Sequence, residues 1–249
     1  MSGLSRVFIP GENILREKVI FPPSEAHYLV RVLRLKSGDK INVFDGSSWE
    51  YLVVLEKVTA GEITGRILSK TKIDRDPSKK VILLPTLLKS EKFDWVIQKS
   101  TELGVNRIIP LKTQRTVMHI DSTKIPGKVI RWQKIAQEAA RQCGRTFIPE
   151  VLPPRALMDA FEIVKEVNLS IIPWEGEEKV SLRDILAKNT AWEKVALFIG
   201  PEGGFTLEEM AKAKQAGLIS VSLGSRILRA ETAALAAVAA VLYVGGDLG

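Results

Sequence analysis

Close to residue 80 the rhythm of the chain changes, and this restricts its fold more than any other feature. Upstream, apolar residues come in short, partly alternating and β-branched runs, Val7–Ile9, Lys40–Phe44, Tyr51–Lys57 and Glu62–Ser69. Turn-forming Ser37-Gly38-Asp39, Asp45-Gly46-Ser47 and Ala60-Gly61 separate them. A period near two, broken by such turns, predicts a small β-rich barrel or sandwich, interrupted by one helical stretch over Pro23–Leu35. Downstream, the pattern predicts a strand over Val81–Pro85, then a helix over Glu91–Leu103 with Gly104 as its C-cap. A strand over Arg107–Leu111 and a long helix over Lys128–Cys143 follow, and Leu169–Pro173 and Val195–Ile199 are buried strands. A helix opens at Thr206, where Thr206 and Glu209 have capping-box spacing. Ile219–Leu223 is the last strand and Glu231–Val244 the last helix. Strands alternating with helices build a mostly parallel sheet covered by helices, an α/β domain. The polar, Pro-containing stretch Lys70–Lys80 suits a linker, so the expected division is 1–72 for the β-rich domain, 73–80 for the linker and 81–249 for the α/β domain.

Composition removes several classes. With 45% hydrophobic residues the chain can bury enough apolar surface to offset its entropy, which excludes disorder. No apolar run reaches the roughly 18–20 residues that a bilayer span needs. Met1–Arg6 lacks the basic-then-apolar order of a signal peptide, so a soluble, cytoplasmic protein is expected, with no membrane partner. A single cysteine, Cys143, excludes a disulfide scaffold and a multi-cysteine metal site, and the isolated His119 adds no metal ligand set. The net charge of +7 is unevenly spread: Lys79–Arg145 holds 14 basic and 5 acidic residues, whereas Thr146–Gly249 holds 10 and 14. A basic middle beside an acidic end is the electrostatic footprint of a nucleic-acid binder, and equally that of a solubilising surface.

In open α/β sheets ligands bind beyond the carboxyl ends of the strands. Here the last two strands run into Ile199-Gly200-Pro201-Glu202-Gly203-Gly204-Phe205 and Leu223-Gly224-Ser225-Arg226-Ile227-Leu228-Arg229-Ala230-Glu231-Thr232. Glycines directly after a strand let backbone N–H and C=O groups approach a ligand. Neither loop matches a standard phosphate cradle. A nucleotide-like ligand held by backbone groups and a pair of ordinary turns both remain open at this point.

Together these strings resemble the S-adenosylmethionine-binding core of RsmE-type methyltransferases, members of the knotted SPOUT superfamily. His27-Tyr28-Leu29-Val30-Arg31-Val32-Leu33-Arg34 is similar to the PUA-like RNA-binding domain of that family, and Lys99–Val105 and Glu138–Arg145 to its central helices. The resemblance covers nearly the whole chain. It implies a C-terminal trefoil-knotted α/β methyltransferase domain preceded by a small PUA-like β-barrel. It also implies a homodimer that methylates N3 of a uridine in small-subunit ribosomal RNA, within the assembled small subunit. Carried over by motif, the methyl donor S-adenosylmethionine lies against Ile199, Gly200, Gly204, Leu223, Gly224, Ile227, Leu228 and Thr232. RNA contacts fall on Arg6, His27, Arg31, Arg34 and Gln142.

Methylating N3 removes its proton, and the negative charge spreads onto the uracil oxygens. Arginine donors aimed at those oxygens would stabilise it. Arg115, Arg145 and Arg229 are the candidates; each could instead bind phosphate or pair with a carboxylate. Glu202 would accept a proton only if burial raised its pKa. Two rival readings stand beside this one: a non-catalytic RNA-binding or ribosome-assembly factor, and a related knotted enzyme acting on another RNA.

Overall fold

The structure, a computed structural model, describes residues 4–248 except Ala60, Asp74 and Thr190. Two units emerge: Met1–Asp76 with Ala140–Ile148, and Pro77–Ala139 with Pro149–Gly249.

In the first unit β1 (Arg6–Phe8), β2 (Lys18–Phe21), β3 (Lys40–Phe44), β4 (Trp49–Val58) and β5 (Ile63–Lys72) form one sheet in the order β1-β3-β4-β5-β2. β1 runs parallel to β3, and the other pairs are antiparallel. Register shifts at Leu52/Val53 and Leu55/Lys57 let the sheet curl, as bulges do. At Gly65 the curl brings strands so close that a Cβ would stand 2.5 Å from Val53 Cγ1 and 2.8 Å from the Val54 carbonyl. The alternation read upstream of residue 80 is real: Val7, Ile9, Ile41, Val43, Val53 and Leu55 face one buried core. β5 runs through Lys72, into the stretch whose polarity suits a linker. β2 escaped the sequence reading because Lys18-Val-Ile-Phe21 is only four residues long.

The helical stretch is α1 (Pro23–His27) followed by a π-helical turn, Tyr28–Val32. Two residues beyond it, Arg34 has a φ of +55°, unusual for a residue with a side chain. Leu35 N–H closes back onto the Leu29 carbonyl at 3.0 Å. The remainder of the unit, 140–148, docks by polar contacts. Arg6 lies 3.9 Å above the Phe44 ring, pairs with Glu50 at 2.6 Å and donates to the Ala140 carbonyl at 3.2 Å.

The second unit contains β6 (Lys80–Pro85), α2 (Ser90–Leu103), β7 (Arg107–Ile108), β8 (Leu111–Lys112), α3 (Ile125–Cys143, through Ala139), β9 (Glu150–Val151) and β10 (Arg155–Ala156). It continues with α4 (Leu157–Ile163), β11 (Leu169–Pro173), α5 (Leu182–Lys188), β12 (Lys194–Ile199), α6 (Leu207–Gln215), β13 (Ile219–Val221) and α7 (Ala230–Val244). Six strands pair in parallel in the order β13-β11-β12-β6-β7-β9. Strand residues alternate faces, so Ala196 and Phe198 of β12 enter the core under α4 and α6, while α7 covers β12 and β6 beside α2. Each fully buried side chain such as Phe198 contributes about 1.5–3 kcal/mol. Gly104 caps α2 with φ +120°, as its position predicts.

At β13 the topology becomes unusual. Pro173 pairs with Val221 on one flank, and Trp174 N–H donates to the Val221 carbonyl at 3.0 Å. On the other flank Ser222 N–H donates to the Val180 carbonyl at 2.8 Å, and Leu182 N–H to the Ser222 carbonyl at 3.0 Å. Val221–Ser222 therefore sits between the two ends of one loop, 174–182, and the chain leaving β13 passes through it. This is the knotted α/β arrangement, an exception to the rule that folded chains do not thread their own loops.

Candidate donor-binding site

All six strands point the same way, so the loops after β6, β11, β12 and β13 leave one edge of the sheet. The chain leaves β6 toward β7 and leaves β12 toward β13, on opposite sides. The β6/β12 boundary is therefore the switch point where ligands of open sheets bind. Thr86, just past β6, ties the boundary shut: its N–H and its hydroxyl both donate to the Ile199 carbonyl, at 2.9 and 2.8 Å.

The loop after β12 is built around Gly204, whose N–H donates to the Pro201 carbonyl at 2.9 Å. Its φ of +67° favours glycine, and a Cβ there would overlap the Glu175 carboxylate, which reaches over from the loop after β11. Thr206 and Glu209 form the expected capping box at the start of α6. Glu209, 3% exposed, does more than cap: one carboxylate oxygen accepts Thr206 N–H at 2.9 Å, the other Gln114 N–H at 2.8 Å. That second bond fixes the next residue, Arg115, which is exposed and donates to the Gly203 carbonyl at 2.7 Å.

The loop after β13 carries the remaining candidates. Gly224 takes φ +110°, its N–H donates to Ser222 Oγ at 3.2 Å, and the space where a Cβ would point is open. Leu223 and Leu228 are half-buried and Ile199 is buried, whereas Ile227 is 91% exposed. Thr232 lies exposed in the first turn of α7, and Arg229, also exposed, precedes it.

A lysine joins these loops. Lys92 of α2 lies 3.1 Å from Glu231 in the first turn of α7 and 3.5 Å from Glu202 in the loop after β12. Burial pushes the Glu231 carboxyl up. Hydrogen bonds from its own backbone N–H and from Lys92, with the charges of Lys92 and Arg229, outweigh that and hold it below the usual carboxylate range. Glu202 is exposed, without the burial a proton acceptor there would need. Glu177 anchors the threaded loop: its oxygens accept the Ser220 hydroxyl at 2.7 Å and the Lys179 and Val180 N–H groups at 2.9 and 3.1 Å, which together hold its pKa low.

Arg115 and Arg229 thus flank the glycine loops of the second unit. Arg145 lies in the first, 3% exposed, its Nε 2.6 Å from Asp76. Arg6 is likewise committed to Glu50 and Phe44, while Arg31, Arg34 and Gln142 are exposed on the first unit. The His27 side chain lies outside the described residues. Sequence reasoning did not single out Lys92, and it read the acidic run 175–178 as no more than a solvated loop. For Lys92 a signal existed, a cation in the first turn of a helix, where the dipole disfavours it.

Comparison with known proteins agrees along the chain. Residues 75–242 match the family model described as RNA methyltransferase domain, and 21–68 the RNA methyltransferase PUA domain. The Bacillus subtilis protein named ribosomal RNA small subunit methyltransferase E is 30% identical over 88% of this chain and 87% of its own length. A Legionella pneumophila methyltransferase solved with bound SAM superposes with a TM-score of 0.89 at 33% identity, covering 97% of this chain and 98% of that one. The Neisseria gonorrhoeae ribosomal RNA small subunit methyltransferase E, bound to S-adenosyl methionine, gives 0.87 at 30% identity over 97% and 98%.

Proposed function

The chain belongs to the RNA methyltransferase family whose curated members are named ribosomal RNA small subunit methyltransferase E, and on that premise we propose how its residues share the work. The enzyme uses S-adenosylmethionine to methylate N3 of a uridine in small-subunit ribosomal RNA. One observation supports the residue assignment: the parallel strands send the loops after β11, β12 and β13 to one edge of the sheet, where Val221–Ser222 lies between the ends of 174–182.

The residues there fit the donor. The space beside Gly224 is open, and Ile227 offers an uncovered apolar surface. Ile199, Leu223, Ile227 and Leu228 would pack the adenine, backbone groups of Gly200, Gly204 and Gly224 would bond its edge, and Thr232 would close the site from α7. When bound, the donor supplies a methyl group activated by a positive sulfur. The chain's part is to place uracil N3 in line with that group and to favour loss of its proton. Arg115 and Arg229 are assigned to the uracil oxygens, where their charge stabilises the developing anion. Arg145 is assigned to holding 140–148 in place through Asp76.

Arg31, Arg34 and Gln142, with His27, form the proposed RNA face of the first unit, and Arg6 supports it from beneath. Exposed Ile227, and Tyr243 and Val244 late in α7, suit a second copy of the chain, so the enzyme is read as a homodimer acting on the assembled small subunit in the cytoplasm. Among the described residues no helix is long and apolar enough to cross a membrane.

Incubating the protein with methyl-labelled donor and either small subunits or free RNA, followed by mass mapping, tests the reading. A single N3-methyluridine on the assembled subunit is expected. Label in another RNA, or none, overturns it.

A further inference from the structure

We propose that Lys92 is a positioning residue that sets the spacing of the two donor loops, by holding Glu202 on one and Glu231 at the end of the other. The inference rests on the reading that these loops hold the donor. Its evidence is geometric. A single ammonium lies within 3.5 Å of one carboxylate and 3.1 Å of the other, and the two carboxylates are contributed by the loop after β12 and by the first turn of α7. Glu231 follows Leu228 by three residues and precedes Thr232, so a shift of its carboxylate moves the side chains that face the donor.

The placement breaks a local rule. A cation in the first turn of a helix opposes the helix dipole, and such departures persist where another requirement outweighs them. The requirement here is charge balance. The Glu231 side chain is largely buried, and its Oε2 has no hydrogen-bond partner among the described residues. A buried carboxylate needs a paired charge, and Lys92 supplies it while reaching Glu202 with the same ammonium. Remove that charge, and two carboxylates face each other and push the loops apart.

Lys92→Met removes the charge and keeps the stem. Calorimetry with S-adenosylmethionine at pH 7.5 should show binding weakened about tenfold, in the range of couplings between charged neighbours. Because a third of Lys92 is exposed, its ion pairs contribute little to folding, and the melting temperature should hold within about 2 °C. Lys92→Arg should bind as the wild type does. Acid supplies the discriminating signal. Glu231 feels Lys92 from α2 and Arg229 from the turn before α7, with Glu202 on the far side of Lys92. In Lys92→Met, acid that neutralises the Glu231 carboxyl removes the repulsion, so donor affinity should recover as pH falls, whereas wild-type affinity changes less over the same range. Glu202→Gln in the Lys92→Met background should restore binding at pH 7.5 by the same logic.

Unchanged donor binding in Lys92→Met overturns the proposal. So does weakened binding with no recovery in acid and a fallen melting temperature, which marks a general structural role. Should Lys92→Met not fold, Glu202→Gln alone decides. Weaker donor binding with unchanged melting supports the proposal, and unchanged binding overturns it. No saturable heat in the wild type would remove the donor site itself, a different failure from any of these.

Discussion

Asp76 accepts the Arg145 guanidinium at 2.6 Å, and its second oxygen takes the Thr146 hydroxyl at 3.1 Å and the Phe147 N–H at 3.0 Å. One carboxylate thereby organises the whole 145–147 turn. Replacing it with Asp76→Ala removes one ion pair to a buried guanidinium and the acceptor of two further hydrogen bonds, each worth about 1 kcal/mol or more. Urea unfolding should show this as a lower midpoint. Arg145→Lys, which keeps charge and loses the fork, should lower stability and activity together. A variant of full stability with no turnover would return Arg145 to the uracil.

Gly204 is constrained twice, by its φ of +67° and by the Glu175 carboxylate lying over it. Gly204→Ala should cost about 1–2 kcal/mol of stability from the left-handed backbone alone. Donor affinity should fall further, because the displaced Glu175 belongs to a neighbouring loop of the same site. Glu175→Ala combined with Gly204→Ala relieves the overlap and should recover part of the affinity, measured by calorimetry.

Glu209 separates two roles that Thr206 does not. Thr206→Ala removes only a cap and should cost about 1 kcal/mol. Glu209→Gln turns one acceptor into an NH₂ group facing either Thr206 N–H or Gln114 N–H, so the bond that fixes the Arg115 loop is put at risk. A larger fall in kcat for Glu209→Gln than for Thr206→Ala, at matched melting temperatures, is the expected result.

Exposed Arg31 and Arg34 should meet RNA phosphates. Reversing both charges should weaken RNA binding and flatten its dependence on salt, by roughly one unit of slope for each arginine–phosphate pair removed. Donor binding, housed in the other unit, should not change. An unaltered salt slope would remove these two residues from the interface.

The threaded loop should loosen in acid. Glu177 has a pKa held below its ordinary value of 4.5, chiefly by the Ser220 hydroxyl and then by two backbone N–H groups. A lowered folded pKa adds stability above the unfolded value, and that contribution drains away as pH falls through the folded one. Amide exchange across 174–182 should therefore quicken relative to the rest of the protein below about pH 4.5, the unfolded reference for a glutamate. Glu177→Gln should remove most of that pH dependence.

Much of this was legible in the sequence, for identifiable reasons. Period-two runs gave away β3 and β4, and the glycine after α2 and the Thr206/Glu209 spacing marked their helix ends, because each signal is local. α4 and α5 were missed: each spans seven residues, too short for a periodic pattern to stand out. The two glycine-bearing loops announced themselves by composition. What joins them did not, since Lys92 is separated from Glu231 by more than a hundred residues, and Gln114 from Glu209 by 95. Contacts at that separation are products of topology, and periodicity carries no record of them. Arg145 shows the converse. Its chemistry suggested the reaction centre, and its pairing with Asp76, 69 positions away, was not visible in the sequence pattern.

The passage of Val221–Ser222 through 174–182 ties mechanical fate to chemistry. Tension on the two ends of this polypeptide would cinch the noose around those residues instead of unravelling it, so the binding edge tightens under load where an ordinary sheet would peel. A chain emptied of its contacts by urea can still keep the crossing, and would regain its pocket without rethreading. A newly made chain must bring the segment after Ser222 past the loop 174–182 before these contacts can close, a step that an ordinary sheet does not need.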